Sequence, residues 1–357
     1  MLLLERAHMP SDTLSTHWIR WPGVQLLRRW NLLDRLISTG CPPLQHVHLG
    51  FESRRISGSP TSSAGIAVTY APRRVVLDDL LVDEARRAGA VVREGFVVRD
   101  VVWDDHTVCG VRGVGPENQE TTLRCKLVVG ADGRNSTIAR AVYAPCIEDR
   151  GVLASSAYGY WRNVSLDGIH VYIRGRQGIS LWPTNAGLTV VSLLFPREEL
   201  RAAVRNGYTE HYLQSLARSS DVSGKLTSGV LSGTIRTASV RNARRRAHGP
   251  GWVLAGDAGH HKDPVTAQGI SDAFADAATL ADNVHLALTG QVSMAAALSE
   301  YETSRDNDRL AAFSYTCDQA ALSPLDESFF RELDRTKGDP RGIADFLSVF
   351  VGSKKSA

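Results

Sequence analysis

Paired cysteines are missing from this 357-residue chain. Its five cysteines (Cys41, Cys109, Cys125, Cys146 and Cys317) are scattered, odd in number and never spaced CxxC. That excludes a disulfide framework and a cysteine-based zinc site, and it suits a reducing cytoplasm. Also missing is any apolar run near the roughly 20 residues needed to span a bilayer. The opening MLLL is too short for a signal-peptide core and meets Glu5 at once. A cytoplasmic protein with no membrane span is expected. No large excess of either charge exists: a net charge of +3 implies no nucleic-acid partner. No serine sits in a GxSxG elbow, so hydrolase chemistry has no support. His260 and His261 lack a second pair at ligand spacing, so no metal site is expected.

Present instead are alternating strand and helix signals in a chain 43% hydrophobic, long enough for one large or two modest domains. Within residues 11–40, Val24, Leu27, Trp30 and Leu33 recur at helical spacing, and Gly40 with the following CPP ends the element. Residues 45–70 read as short strands broken by a Gly/Ser/Pro loop. RRVVLDDLLVDEARRAGA predicts an amphipathic helix with Val76, Leu80, Leu81 and Ala85 on one face and Gly89 as its stop. Residues 91–115 alternate as a β-meander turning at REG and DDH. CKLVVGADGRNSTIARAV predicts a continuous buried strand, a glycine turn and a helix with Ser136 as N-cap. Residues 151–240 read as mainly β, with one helix near REELRAAVRNGYTEHYLQSLARS.

The basic stretch RNARRRAHGPGW, holding Arg241, Arg244, Arg245 and Arg246, reads as a solvated surface loop; a contact with a cofactor phosphate is the sharper alternative. GWVLAGDAG predicts a second buried strand, and GISDAFADAATLADNVHLAL a long helix. Its expected buried stripe is Ile270, Ala273, Phe274, Ala277 and Leu280, with Ser271, Asp272, Asp276 and Asp282 outward or capping. The tail from about residue 295 reads as helical. Strand–turn–helix units flanking β-rich insertions indicate an α/β fold with a second sheet.

Two turns carry chemistry. Asp132 and Gly133 end one strand; Gly256 and Asp257 end another, and Gly269 opens the long helix. Ligands of open α/β sheets bind beyond the carboxyl ends of strands. A carboxylate there accepts from ribose or ribityl hydroxyls, and a glycine lets the backbone approach closely. The first turn of the helix offers free N–H groups and the positive end of its dipole to an anion. Either turn alone is an ordinary tight turn; the two together point to a cofactor.

Here the sequence resembles a known family. LVVGADGRNSTIARAV resembles the Asp-Gly motif of the single-component FAD-dependent monooxygenases, the flavoprotein aromatic hydroxylases. GWVLAGDAGHHKDPVTAQGISDAFADAATLAD resembles their Gly-Asp motif with its Pro-x-x-x-x-Gly turn, RRVVLDDLLVDEARRAGAVVREG their Arg-x-x-Leu helix, and YETSR a late helix. The resemblance implies an α/β fold: an FAD/NAD(P)-binding Rossmann-like sheet, an inserted, mostly antiparallel β-sheet substrate domain, and a helical C-terminal tail. Residues 1–40, 72–150 and 245–305 would form the discontinuous FAD-binding domain, 41–71 and 151–244 the substrate-binding domain, and 306–357 the helical C-terminal segment.

By the same resemblance Asp257 would bind the ribityl chain, and Arg74, Asp132, Gly133 and Gly256 would contact FAD. Pro264 through Ile270, with Gly269, would line the flavin. His260, His261 and Pro264 are flavin-adjacent candidates with no assigned catalytic role. Ala267 departs from the glycine usual in the family. Trp161 and Trp182 could line a substrate cavity, or be core. LLLER resembles the family's second strand and makes Glu5 the candidate adenosine-ribose ligand. The GxGxxG of the family's first strand is absent, and GVRGVG (Gly110 to Gly115) has the wrong spacing. A first strand central to the sheet is therefore expected to be missing, which leaves two open ladder edges and no main phosphate loop.

The implied activity is that of an FAD-dependent, NAD(P)H-consuming monooxygenase that inserts one oxygen atom of O2 into an aromatic or polyketide-like small molecule through a flavin hydroperoxide. The alternative is an N-terminally truncated, cofactor-deficient and inactive fragment. A flavin-dependent halogenase, epoxidase or prenyl reductase on the same scaffold ranks lower; the Trp-x-Trp-x-Ile-Pro of halogenases is absent.

Overall fold

The computed structural model describes residues 1–354; residues 355–357 of the expected helical segment lie outside the described residues. Parallel strands form two small sheets. Leu2–Leu4 pairs with Val91–Arg93. Val128–Gly130 pairs with Trp252–Leu254, which takes His248–Gly249 on its other side. Among the described residues, Leu2–Leu4 and Val128–Gly130 each have one strand partner. Leu4 nevertheless packs with Val128, Ile138, Trp252 and Leu254, so both sheets share one core.

Trp252–Leu254 is buried throughout, as its apolar run requires. Val129 departs from expectation: it is 47% exposed within a strand read as wholly buried. Alternation explains this. The helix Thr137–Ala141 covers the face carrying Gly130, where an added Cβ would lie 2.9 Å from Ile138, and Val129 points the other way. The meander runs Val97–Asp104, Thr107–Val114 and Glu120–Arg124, antiparallel throughout, and the GVRGVG stretch lies largely in its middle strand.

The helical stretch near the start is two helices, Trp21–Arg29 and Leu33–Ser38, separated around Asn31 with φ 57°. Arg74–Arg87 buries Leu77, Leu80 and Val82, so its inner face is rotated from the expected Val76, Leu81 and Ala85, which are only half-buried. A seven-stranded sheet follows the order Val230–Ala238, Ala154–Arg162, Thr189–Pro196, Gln177–Pro183, Gly168–Arg174, His46–Phe51, Arg54–Gly58. All neighbours are antiparallel except Gly168–Arg174 with His46–Phe51.

One face of this sheet packs Tyr158, Tyr160, Ile169 and Trp182 with Trp18, Ala267 and the C-terminal helices Glu327–Lys337 and Pro340–Val351. The other packs Trp161, Tyr172 and Leu181 under Leu200–Asn206, Tyr208–Arg218 and Ser220–Ser223. Three helices stand where one was expected, the first break falling at Gly207, with φ 83°. The arginine-rich stretch is not a loop. Arg241–Arg245 is a strand paired with Cys146–Val152, and its alternation turns Arg244 inward, 3.2 Å from Glu148 and 3.6 Å from Asp306. No helix among the described residues is long and apolar enough to cross a membrane.

Candidate functional site

The buried strand Trp252–Leu254 delivers the chain into a tight turn, Gly256–Ala258, beside the start of the helix Gly269–Leu288. Gly256 takes φ 57°, and a Cβ there would lie 3.2 Å from the Ala273 methyl group. Glycine thus serves both the left-handed backbone and the close approach of turn to helix. A Cβ on Gly269 would sit 4.0 Å from Asp257 Oδ1, so the acid and the helix start are neighbours. No side chain caps this helix, and its first-turn N–H groups keep their donor capacity and the positive end of the dipole.

Asp257 is open to solvent at its own surface yet surrounded by protein at longer range. That partial loss of hydration, joined by the nearby Asp272 carboxylate, pushes its pKa up to about 6, against the pull of Arg134, Arg74 and Lys262. Lys262 bridges to Asp272 at 2.6 Å and donates to Gln268 Oε1 at 2.6 Å, tying the turn to the helix. The result is one solvent-exposed acid, a free helix terminus and several cations.

Asp276 corrects an expectation. It is buried (2% exposed), not outward. Its Oδ2 accepts from the Gly256 N–H at 3.1 Å, and Oδ1 lies 3.5 Å from Arg309 Nε. Ser271 is buried too and accepts from the Arg20 N–H at 3.1 Å, whereas Ala277, expected inside, is exposed. The cause is packing on two sides by Trp21–Arg29 and Met294–Ala320, which bring polar partners to polar side chains. These partners lie far away in sequence, so periodicity could not reveal them.

Gly133 (φ 77°) turns the chain after Val128–Gly130. Asp132 accepts from the N–H groups of Thr137 at 2.6 Å and Ile138 at 3.2 Å, and Ser136 caps the helix by accepting from Ala139 N–H at 2.8 Å. Asp132 is thereby committed to its own helix. The turn opens onto a cleft of about 400 Å³ lined by Arg134, Arg140, Arg241 and Arg245, with His261 and Asp149. Glu5 follows Leu2–Leu4 and accepts from the Ala7 N–H at 2.8 Å. Arg74, at the first residue of its helix, pairs bidentately with Asp78 at 2.7 Å.

His260 and His261 form a short buried strand beside Arg241–Arg245. Burial, reinforced by Lys262 and neighbouring arginines, pushes His260 down to about 2, and its ring packs 5.5 Å from Phe313. Pro264 opens the turn Pro264–Thr266, which Asp263 caps by accepting from Val265 N–H at 3.0 Å. Ala267 adopts φ 49° and ψ 37°, a conformation that favours glycine, with its methyl group buried against the aromatic core. The backbone expected of glycine is thus kept despite the substitution. Trp161 and Trp182 are both core residues, 8% and 4% exposed.

One cluster had no sequence signal. His17 is fully buried at φ 64°, with Nε2 2.8 Å from the Tyr160 hydroxyl. Burial pushes its pKa down to about 3. Arg73 stacks over Tyr160 and, with Arg236, donates to Asp12. The positive-φ histidine, between unremarkable neighbours, could not be read from one sequence.

The donors around Asp257 suit a hydroxyl-rich anion, as FAD is: an outward carboxylate, unclaimed helix N–H groups and surrounding cations. Among sequences, the chain is 23% identical over 249 residues to a tryptophan 2-halogenase of Chondromyces crocatus, covering 66% of this chain and 47% of that protein. It is 27% identical over 263 residues to a digeranylgeranylglycerophospholipid reductase of Methanocella arvoryzae, covering 67% and 60%. The chain therefore spans about half the length of these relatives. Among solved structures it superposes on a myxobacterial chondrochloren halogenase with a TM-score of 0.81 at 21% identity, covering 100% of this chain and 92% of that one. A probable FAD-dependent monooxygenase of Pseudomonas aeruginosa gives 0.75 at 19% identity, covering 97% and 92%. The model of the FAD binding domain family matches residues 1–312, most of the chain, and the chain belongs to that family.

Proposed function

We propose that this chain works as an FAD-dependent, NAD(P)H-consuming monooxygenase that inserts one oxygen atom of O2 into an aromatic or polyketide-like small molecule. The observation that carries the reading is Asp257, solvent-exposed at a strand end beside the uncapped start of Gly269–Leu288. Bound FAD supplies the redox chemistry. Asp257 accepts from the ribityl hydroxyls, and the N–H groups of Gly269 and Ile270 hold an anionic edge at the helix terminus. Pro264 to Ala267 line the ring and exclude water, while Glu5 accepts from the adenosine ribose. Arg74 and the Asp132–Gly133 turn border the same cofactor. The four-arginine cleft beside that turn suits the phosphates of NAD(P)H.

A halogenase is the second reading, favoured by the halogenase relative and the halogenase-like structure; the missing Trp-x-Trp-x-Ile-Pro speaks against it. One experiment separates the two. FAD-loaded protein is given NAD(P)H, isotopically labelled O2, bromide and a panel of phenols and polyketide-like aromatics. Substrate-stimulated NAD(P)H oxidation with one labelled oxygen in the product is expected. A brominated product selects the second reading, and a folded protein that takes up no FAD overturns both.

A further inference from the structure

Far from the FAD cleft, three ligand-type side chains converge on the seven-stranded sheet. His48 and His170 stand directly opposite each other on the parallel pair His46–Phe51 and Gly168–Arg174. Their rings stack with centroids 4.2 Å apart and planes 9° from parallel, so both present Nε2 to the same side. Asp167, in the residue just before its strand, places carboxylate oxygens 3.0 Å from His48 Nε2 and 3.1 Å from His170 Nε2. All three ligand atoms lie within 4.8 Å of one another.

The nitrogens that would not ligate are already occupied. His48 Nδ1 lies 3.0 Å from Ser57 Oγ, and His170 Nδ1 lies 3.2 Å from the Tyr172 hydroxyl. Such partners fix ring orientation and tautomer in metal sites. With each Nδ1–H donated to its hydroxyl, both Nε2 lone pairs would face the Asp167 carboxylate and could share a cation with it. Metal–ligand bonds of about 2.0–2.2 Å at a tetrahedral angle set ligand atoms roughly 3.4 Å apart. The two histidine–carboxylate separations are within a few tenths of an ångström of that spacing.

We propose that His48, Asp167 and His170 bind one borderline transition cation, Zn2+ above all, with a fourth position left for water. Two imidazoles and one carboxylate are the donor set such ions prefer; Mg2+ and Ca2+ want oxygen alone. His170 and Tyr172 point away from Ile169 and Val171, which pack on the face shared with Ala267. The ion therefore lies across the sheet from the FAD cleft and takes no part in redox chemistry. It clips together two strands more than a hundred residues apart in sequence. Spacing in the sequence hides this site because its ligands come from two distant segments.

The test uses the full chain, free of any histidine tag and stripped with EDTA. Zn2+ is titrated by calorimetry and Co2+ by its visible absorption. One Zn2+ per chain is expected, with a tetrahedral Co2+ band and a melting temperature that climbs with free Zn2+. His48→Ala and Asp167→Asn change exposed or half-exposed side chains and leave the fold intact by circular dichroism. Each is expected to weaken binding at least tenfold and to lose the Co2+ band. Failure of the wild-type chain to take up Zn2+ saturably overturns the proposal, and so does uptake that both variants leave unchanged. FAD content is followed in parallel and should not vary with Zn2+.

Discussion

If Asp257 holds the cofactor, two demands compete there: binding needs an exposed acceptor, and the surrounding protein disfavours its charge. A carboxyl whose folded value of about 6 lies above its unfolded value near 3.9 favours the folded state while it is protonated in both states. That contribution is present below about pH 4 and is lost as pH rises through 6. Asp257→Asn should flatten this part of the apoprotein's pH–stability curve, gaining less than about 1 kcal/mol at pH 8 because the side chain touches solvent. The same variant should weaken FAD binding about tenfold or more, since it removes a charged acceptor. Urea unfolding at about pH 4 and pH 8, with FAD titration by fluorescence, reads both effects. A wild-type-minus-variant difference identical at the two pH values would refute the electrostatic account. The position of Asp257 was legible, since a buried apolar strand running into a Gly-Asp turn reads directly from the sequence. Asp276 was not, because its meaning depends on Gly256 and Arg309.

The helix Gly269–Leu288 shows what periodicity can and cannot settle. Phe274 and Leu280 are buried as their spacing predicts, yet Ser271 and Asp276 are inside as well. An apolar stripe describes a helix lying on one core, and this one is wedged between two other helices and a turn. Asp276 holds the turn through the Gly256 N–H and faces Arg309 from Met294–Ala320. Replacing it by leucine leaves a buried N–H without an acceptor and an arginine without a partner. A loss of about 3 kcal/mol is expected in urea unfolding. Asp276→Asn keeps an acceptor for the N–H and should cost distinctly less. Equal losses would mean that shape, not the hydrogen bond, matters at this position. The same limit misplaced Arg244: a run of arginines looks solvated until strand pairing turns one of them inward against Glu148.

Across the whole molecule, the strand–turn–helix units were readable because each couples an apolar run to a glycine turn within about 20 residues. The seven-stranded sheet was readable only as β-rich, since its order depends on pairings between distant segments. If FAD binds where Asp257 and Gly269 meet, saturating FAD at about a hundred times its Kd adds roughly 2.7 kcal/mol and raises the melting temperature by several degrees; a scan with and without FAD measures it. No shift at that occupancy would remove the cleft from consideration. The parallel pairing of His46–Phe51 with Gly168–Arg174 also bears on how the protein is made. During synthesis the hairpin His46–Gly58 emerges first, with Val47, Leu49 and Ile56 on one side. Its partner strand follows only after on the order of ten seconds of elongation. For that interval a short, sticky ribbon has no neighbour along one edge. The ribosome-bound chain is then most open to capture by a chaperone, or to mispairing with another nascent copy.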